Sequence, residues 1–321
     1  MIRSKYMPTS NNLKFSIKLL SIKSIATWIG IILLRFISLL PYGILMRLGN
    51  LLGNLIYQIS PHRKEISRIN INKCLHIEGK QLDRFVRSNF QAIGRGIFEM
   101  SLAWWASEKK IRNIKTKLIN RNLLENENGA LILIKHSTHL ELDLRLLSQF
   151  FDLTGMYKTQ TNEVINYVMV KARNNYITES LTNKEALKAV RWIKSGKNFL
   201  YAADQDYGPN VSIMIPFFEH DAATVIFPAL FCNKKIKIVL ADVSKVEDAY
   251  EIEIKEIDNR QNQKEFLTSM NNLYQEFIAK EPEGYLWMHR RFKSGTHESI
   301  YPTWSSRDKK RKKRRLKRRD D

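Results

Sequence analysis

The chain has 321 residues, 44% hydrophobic and 26% charged, which excludes a disordered or collagen-like polypeptide and allows a sizeable core. Its formal net charge of +21 predicts an acidic partner: nucleic acid, an anionic membrane surface, a phosphorylated substrate or an acidic protein. Two cysteines far apart, Cys74 and Cys232, argue against a disulfide framework, and no CxxC, HExxH, Walker A or GxGxxG pattern occurs.

Residues 1–23 are polar and basic, with Lys5, Lys14, Lys18 and Lys23. The next stretch, "SIATWIGIILLRFISLLPYGILM" (24–46), is apolar apart from Arg35 and a few small polar residues. A spanning helix needs about 20 predominantly apolar residues. Arg35 near the middle costs about 2.5–3.5 kcal/mol on insertion scales, and Pro41 falls late in the run. The expectation is a membrane anchor formed by residues 1–46, with a buried core helix as the alternative. A signal peptide fits less well, because no small-residue cleavage site follows.

Between Leu82 and Trp105 the apolar residues Leu82, Phe85, Val86, Phe90, Ile93 and Ile97 recur at helical spacing. "ALILI" (130–134) reads as a buried strand, and Leu140–Phe151 as the helix after it. "NFLYAAD" (198–204) reads as a second buried strand running into the polar loop "DQDYGPN". Residues 224–233 are expected to be helical, "KIKIVLADV" and "YEIEIKEI" to be strands, and 263–279 a last helix. Strands alternating with helices imply an α/β fold, a central sheet flanked by helices. In such folds functional groups gather beyond the carboxyl ends of strands, where His136 and Asp204 both fall.

A main domain is expected over 47–305, followed by a disordered polybasic tail over 306–321. That tail carries ten Lys or Arg residues between Lys309 and Arg319. Such clusters attach to anionic headgroups at about 1 kcal/mol per basic residue near the surface. Nucleic-acid binding is not expected, since the tail lacks aromatics for stacking on bases.

In "HSTHLELD" (136–143), His136 is suited to removing a proton near neutral pH, and Glu141 to orienting its ring. Ser137 lies too close in sequence to serve as a nucleophile, so the proton would come from a substrate hydroxyl. HxxxxE alone is weakly specific. A structural histidine, or a metal site using His136, His139 and Glu141, are the other readings of the same residues. No further His or Cys cluster completes a metal site, and none is expected.

Together, "HSTHLELD", "YAADQDYGP", "IPFF" and "YLWMHRRFKSGTHESIY" resemble the late acyltransferases of lipid A biosynthesis, the lauroyl/myristoyl family. Residues 63–105 and the apolar N-terminal stretch also resemble that family, and the likeness covers most of 25–301. It implies a mixed sheet like that of glycerolipid acyltransferases and a single anchor on the cytoplasmic face of the inner membrane. It implies transfer of a fatty acyl chain from acyl carrier protein to a hydroxyl of a Kdo-lipid A precursor, without a cofactor.

Carried over residue by residue, His136 is the general base and Glu141 its orienting acid. Arg173, Asp204, Asp206, Asn162, Arg290 and Arg291 are expected to contact substrate or the developing oxyanion. His289 is expected to make a structural hydrogen bond. Where the family has a Tyr-Arg pair, this chain has Tyr157-Lys158, which keeps charge but loses bidentate geometry. The alternatives are a glycerolipid acyltransferase, whose "PEGTR"-like phosphate motif "AADQDYGPN" does not match, and a non-catalytic basic membrane adaptor.

Overall fold

A computed structural model describes residues 15–125, 129–183, 185–295 and 300–302. The expected polybasic tail lies outside the described residues, as do most of the basic residues before Ile22.

The N-terminal apolar stretch is not one helix. It divides into α1 (Ile22–Ile37) and α2 (Tyr42–Ile59), and residue 46 lies inside the second. Pro41 is the reason: it disfavours helical geometry at Leu40 and starts the next helix from its own N-cap position. The Ser38 N–H closes α1 on the Leu34 carbonyl. At 16 residues α1 is about 24 Å long, short of the roughly 30 Å hydrocarbon core. Among the described residues no helix is long and apolar enough to cross a membrane. The expected single spanning anchor is therefore corrected.

After α3 (Pro61–Leu75) comes α4 (Gly79–Trp105), the long helix that the apolar spacing announces. α2 packs against α4 backbone to backbone. A Cβ on Gly94 would collide with the Gly49 carbonyl, and one on Gly53 with the Phe90 carbonyl. The contact needs glycine on both helices.

The remaining elements are α5 (Glu108–Arg112), β1 (Thr116–Ile119), β2 (Ala130–Ile134), α6 (Leu140–Leu147), β3 (Thr154–Tyr157), α7 (Glu163–Arg173) and β4 (Glu179–Thr182). They continue with α8 (Ala186–Lys194), β5 (Phe199–Ala202), β6 (Ser212–Phe217), β7 (His220–Val225), β8 (Lys237–Val246), β9 (Ala249–Glu256) and α9 (Gln263–Lys280). The last helix starts on a capping box, Asn262 with Glu265.

A seven-stranded mixed sheet has the order β1-β9-β8-β2-β5-β3-β4. β2 runs parallel to both neighbours, β5 and β8, while β8 and β9 form an antiparallel pair. Both faces are covered, which is why "ALILI" is apolar throughout. Leu131 and Leu133 face one core, shared with α3, α8 and α9. Ala130, Ile132 and Ile134 face the other, shared with α6 and α7. α4 contributes to both, through Val86 and Phe90 in one and Ala103 and Trp104 in the other.

The helix expected over 224–233 is not formed. Its first residues belong to β7, which pairs antiparallel with β6 in a separate two-stranded sheet, and a single 3₁₀ turn follows over Phe227–Phe231. Pro228 stands in the first turn of that segment and so bars a helix that starts as early as Thr224. The chain leaves helical geometry at Cys232, with Asn233 following at φ 57°.

Candidate functional site

The register of the central strands builds the site. Ile134 at the end of β2 lies opposite Ala202 at the end of β5. Two residues beyond each end stand His136 and Asp204. Asp204 Oδ1 lies 2.5 Å from His136 Nδ1, and Oδ2 accepts the His136 backbone N–H at 2.8 Å. One carboxylate thus holds both the ring and the peptide of the same residue. Burial raises the Asp204 pKa, but His136 and, more weakly, Arg291 outweigh it and hold the carboxyl below its usual value. The His136 side chain is 20% exposed, and no hydrogen bond engages Nε2 among the described residues.

The rest of the turn is fixed by backbone pairing. The His136 carbonyl accepts the Leu286 N–H at 3.0 Å, and the Thr138 N–H donates to the Gly284 carbonyl at 2.7 Å. Asn89 on α4 donates to the carbonyls of Glu283 and Tyr285 and so holds the opposing segment. Tyr274 on α9 bridges the two strand ends, donating to the Ile134 carbonyl and accepting the Ala203 N–H. On α4, Gly96 touches the turn itself: a Cβ there would collide with the Thr138 carbonyl. Below the turn, Lys135 is buried and pairs with Asp242 on β8.

Glu141 is placed elsewhere. It sits in the first turn of α6, where a carboxylate is favourable, and points away from the His136–Asp204 pair toward α7 and α4. The Arg173 guanidinium grips it twice, through Nε at 3.1 Å and through Nη2. Trp104 Nε1 and the Tyr176 hydroxyl add donors at 2.9 and 3.1 Å. Burial pushes the Glu141 pKa up, but Arg173 pulls it further down, and the net shift is below the usual value. The acid that reaches the histidine ring is Asp204, because register sets strand ends side by side whereas α6 carries Glu141 away.

The other expected site residues fall into distinct roles. Asn162 caps α7, accepting the N–H groups of Val164 and Ile165, and donates to Thr27 on α1 at 3.0 Å. Asp206 organises its own loop, accepting from Gly208 N–H at 2.8 Å and Ser294 N–H at 2.7 Å. Arg290 donates to His62 Nε2 at 2.8 Å. Arg291 is buried and donates to Ala223 O and Thr224 Oγ1 on β7, with its guanidinium 4.7 Å from the Phe217 ring centre. His289 Nε2 accepts the Asp206 N–H at 3.3 Å, the structural bond expected of it. Burial, Lys293 and His136 push its pKa down to about 3, so its imidazole is neutral. Among the described residues no His, Cys, Asp and Glu cluster is arranged to hold a metal ion.

Sequence reasoning passed over Tyr274, Trp104 and Gly96. Tyr274 and Trp104 read as ordinary core aromatics at helical spacing. The pair of glycines in "GRG" within a long helix was the available signal for a close backbone approach.

A lauroyltransferase of lipid A biosynthesis from Escherichia coli (strain K12) is 27% identical over 88% of this chain and 95% of its own length. A palmitoleoyltransferase of lipid A biosynthesis from the same strain is 25% identical over the same shares. A lipid A biosynthesis acyltransferase from Haemophilus influenzae is 24% identical over 84% of this chain and 91% of its own. A solved structure, the 1-acyl-sn-glycerophosphate acyltransferase from Thermotoga maritima, aligns with 72% of this chain at a TM-score of 0.37 and 7% identity, too loose a likeness to bear on function. The family described as bacterial lipid A biosynthesis acyltransferase matches residues 12–294, which contain every strand of the sheet and both sides of the His136 turn, and the chain belongs to that family.

Proposed function

We propose that this acyltransferase moves a fatty acyl chain from the thioester of acyl carrier protein to a hydroxyl of a Kdo-lipid A precursor, with His136 as general base. The observation that carries the reading is the double grip of Asp204 on His136, which leaves Nε2 open. An Nδ1–H donated to Asp204 puts the basic lone pair on Nε2. Nε2 takes the proton of the acceptor hydroxyl as its oxygen bonds to the thioester carbonyl carbon. Asp204 stabilises the imidazolium that results, the part that a buried carboxylate plays in a catalytic triad. The tetrahedral oxyanion then collapses, the C–S bond breaks, and the thiolate leaves and takes up a proton. No nucleotide or metal is needed at any step.

In this reading Glu141 holds Arg173 rather than the histidine. Two of the five guanidinium N–H donors are spent on Glu141. The pair gives a fixed cation suited to the oxyanion or a substrate phosphate. The net charge of +21 supports steering of an acidic carrier protein and of phosphorylated acceptors, an effect that salt weakens.

The enzyme is proposed to work at the cytoplasmic face of the inner membrane without spanning it. Ile25, Ile29, Ile32, Leu33 and Phe36 on α1 and Leu51, Leu55 and Ile59 on α2 are exposed at helical spacing. Such faces suit in-plane insertion beside an amphipathic acceptor. Acyl transfer from acyl carrier protein to purified Kdo-lipid A precursor tests the proposal. It should fall by about three orders of magnitude or more in His136→Ala with the fold retained, leaving the slow rate that binding and oxyanion stabilisation support. Turnover near wild type in that variant rejects His136 as base.

A further inference from the structure

Three residues past His136, a second histidine is held by two carboxylates. His139 is 3% exposed, and its carbonyl starts α6 by accepting the N–H groups of Leu142 and Asp143. Its Nδ1 is bonded to Asp143 Oδ1, and its Nε2 lies 3.2 Å from Glu281 Oε2. A neutral imidazole has one donor, and ionised carboxylates only accept. A ring serving both carboxylates therefore donates from both nitrogens.

Each carboxylate also grips one side of the His136 turn. Asp143 Oδ2 accepts the Ser137 hydroxyl, next to His136 in the chain. Glu281 begins the segment whose Gly284 carbonyl and Leu286 N–H pair with Thr138 and His136. Ser137 and Tyr285 face each other across that bridge. Glu281 Oε2 further accepts the Lys245 backbone N–H at 2.7 Å, which ties in β8. His139 thus joins, through Asp143 and Glu281, the two backbone segments that hold the base.

We propose that His139 is a positioning residue, a buried imidazolium that clamps residues 136–138 against 284–286 and so sets where His136 Nε2 meets the acceptor hydroxyl. This rests on the assignment of His136 as base. The groups facing the ring are Asp143 on α6, Glu281 after α9, Lys135 beside Asp242, and Tyr250 on β9, whose ring lies edge-on at 5.6 Å. The Tyr250 hydroxyl is turned away to Glu99 on α4 at 2.6 Å. Burial disfavours charge on the His139 ring, but Asp143 and Glu281 together outweigh it and carry its pKa well above 6.5. Burial also raises the Asp143 carboxyl, against the pull of His139, Ser137 and Lys135, whereas Glu281 is held below its usual value by His139.

Two experiments on the full chain test the clamp. In wild-type protein labelled with 15N-histidine, one ring is expected to show both nitrogens protonated at pH 8, where an exposed histidine is neutral. A spectrum with only singly protonated rings overturns the proposal and needs no folded variant. In the acyl carrier protein assay, His139→Gln should lower kcat about 10- to 100-fold with KM changed less than about threefold. On a His136→Ala background the same substitution should cost nothing further in the residual rate. Unchanged kcat in His139→Gln, or an equal further loss without His136, rejects the clamp. Full activity in His136→Ala alone would instead reject the base, leaving the histidine spectrum as the judge of the ring's charge.

Discussion

Asp204 holds His136 twice, by the ring at Nδ1 and by the backbone N–H, so its carboxylate sets both the tautomer and the position of the imidazole. Asp204→Asn keeps the size of the side chain and a bond to the peptide, but removes the charge that stabilises an imidazolium. It should lower kcat by about two to four orders of magnitude, with KM little changed and some melting temperature lost at neutral pH. Initial rates with saturating acceptor check this. A loss below about tenfold would mean that Asp204 is only structural.

Glu141 and Arg173 should behave as a pair. Glu141→Ala leaves the guanidinium buried without its carboxylate and also strands the Trp104 and Tyr176 donors. Breaking one half of a buried ion pair costs about 3–5 kcal/mol, so the single variant should be strongly destabilised as well as impaired. Glu141→Ala combined with Arg173→Met should regain part of that stability but no activity. Denaturation midpoints of the two singles and the double complete the cycle.

Gly96→Ala is expected to cost more than its size suggests. The added methyl meets the Thr138 carbonyl, and neither the helix nor the doubly paired turn can yield without moving His136. Overpacking of this kind costs about 1–3 kcal/mol, and a displacement near 1 Å at the base can cost about 100-fold in rate. Gly30→Ala, with open space around its Cβ, is the control and should be neutral or slightly stabilising.

Stability should fall on both sides of neutrality. On the acid side, burial opposes charge on Glu141, Asp204 and Glu281, but Arg173, His136 and His139 respectively hold each below its usual value. A depressed native pKa gives stability that is present above about pH 4 and lost as pH falls through the native value. On the alkaline side His139 has the opposite sign, since its native pKa is raised. Its contribution is complete below about pH 6.5 and is lost as pH rises toward the native value. Melting temperature measured from pH 6 to pH 9 should slope downward in the wild type and less steeply in His139→Gln.

Replacing Leu33 and Phe36 together with glutamate should release the protein from anionic vesicles without changing its melting temperature. Both side chains are exposed on α1, a helix that buries none of its residues. Each buried CH₂ is worth about 0.8 kcal/mol, and the added charges repel anionic headgroups. Co-sedimentation with vesicles at two salt concentrations separates the apolar from the electrostatic share. Unchanged binding would remove α1 from the proposed attachment.

How much of this could be read before folding depends on the range of the physics. The strand "ALILI", the helices at 82–105 and 263–279, and the pair "KIKIVLADV" and "YEIEIKEI" announce themselves because period and chain length are local properties. The motif residues His136, Asp204, Glu141 and Arg173 were all visible, as was the family that residues 12–294 match. Their pairing was not. Proximity in the chain put His136 with Glu141, five residues away. Parallel register instead brings in Asp204 from the neighbouring strand, 68 residues on, while α6 turns Glu141 toward Arg173.

The same limit explains the N-terminal stretch and the 224–233 segment. Hydropathy counts apolar residues without seeing that Pro41 divides the run into two helices, one of them pressed onto α4 through glycines. A short apolar segment such as 222–225 fits helix or strand equally until a partner strand is available, and β6 supplies it. The chain alone decides which residues carry the chemistry and which elements form. The sheet register and the contacts of α4 and α9 decide which of those residues meet, because hydrogen bonds and charge pairing act over a few ångströms of space and take no account of distance along the chain.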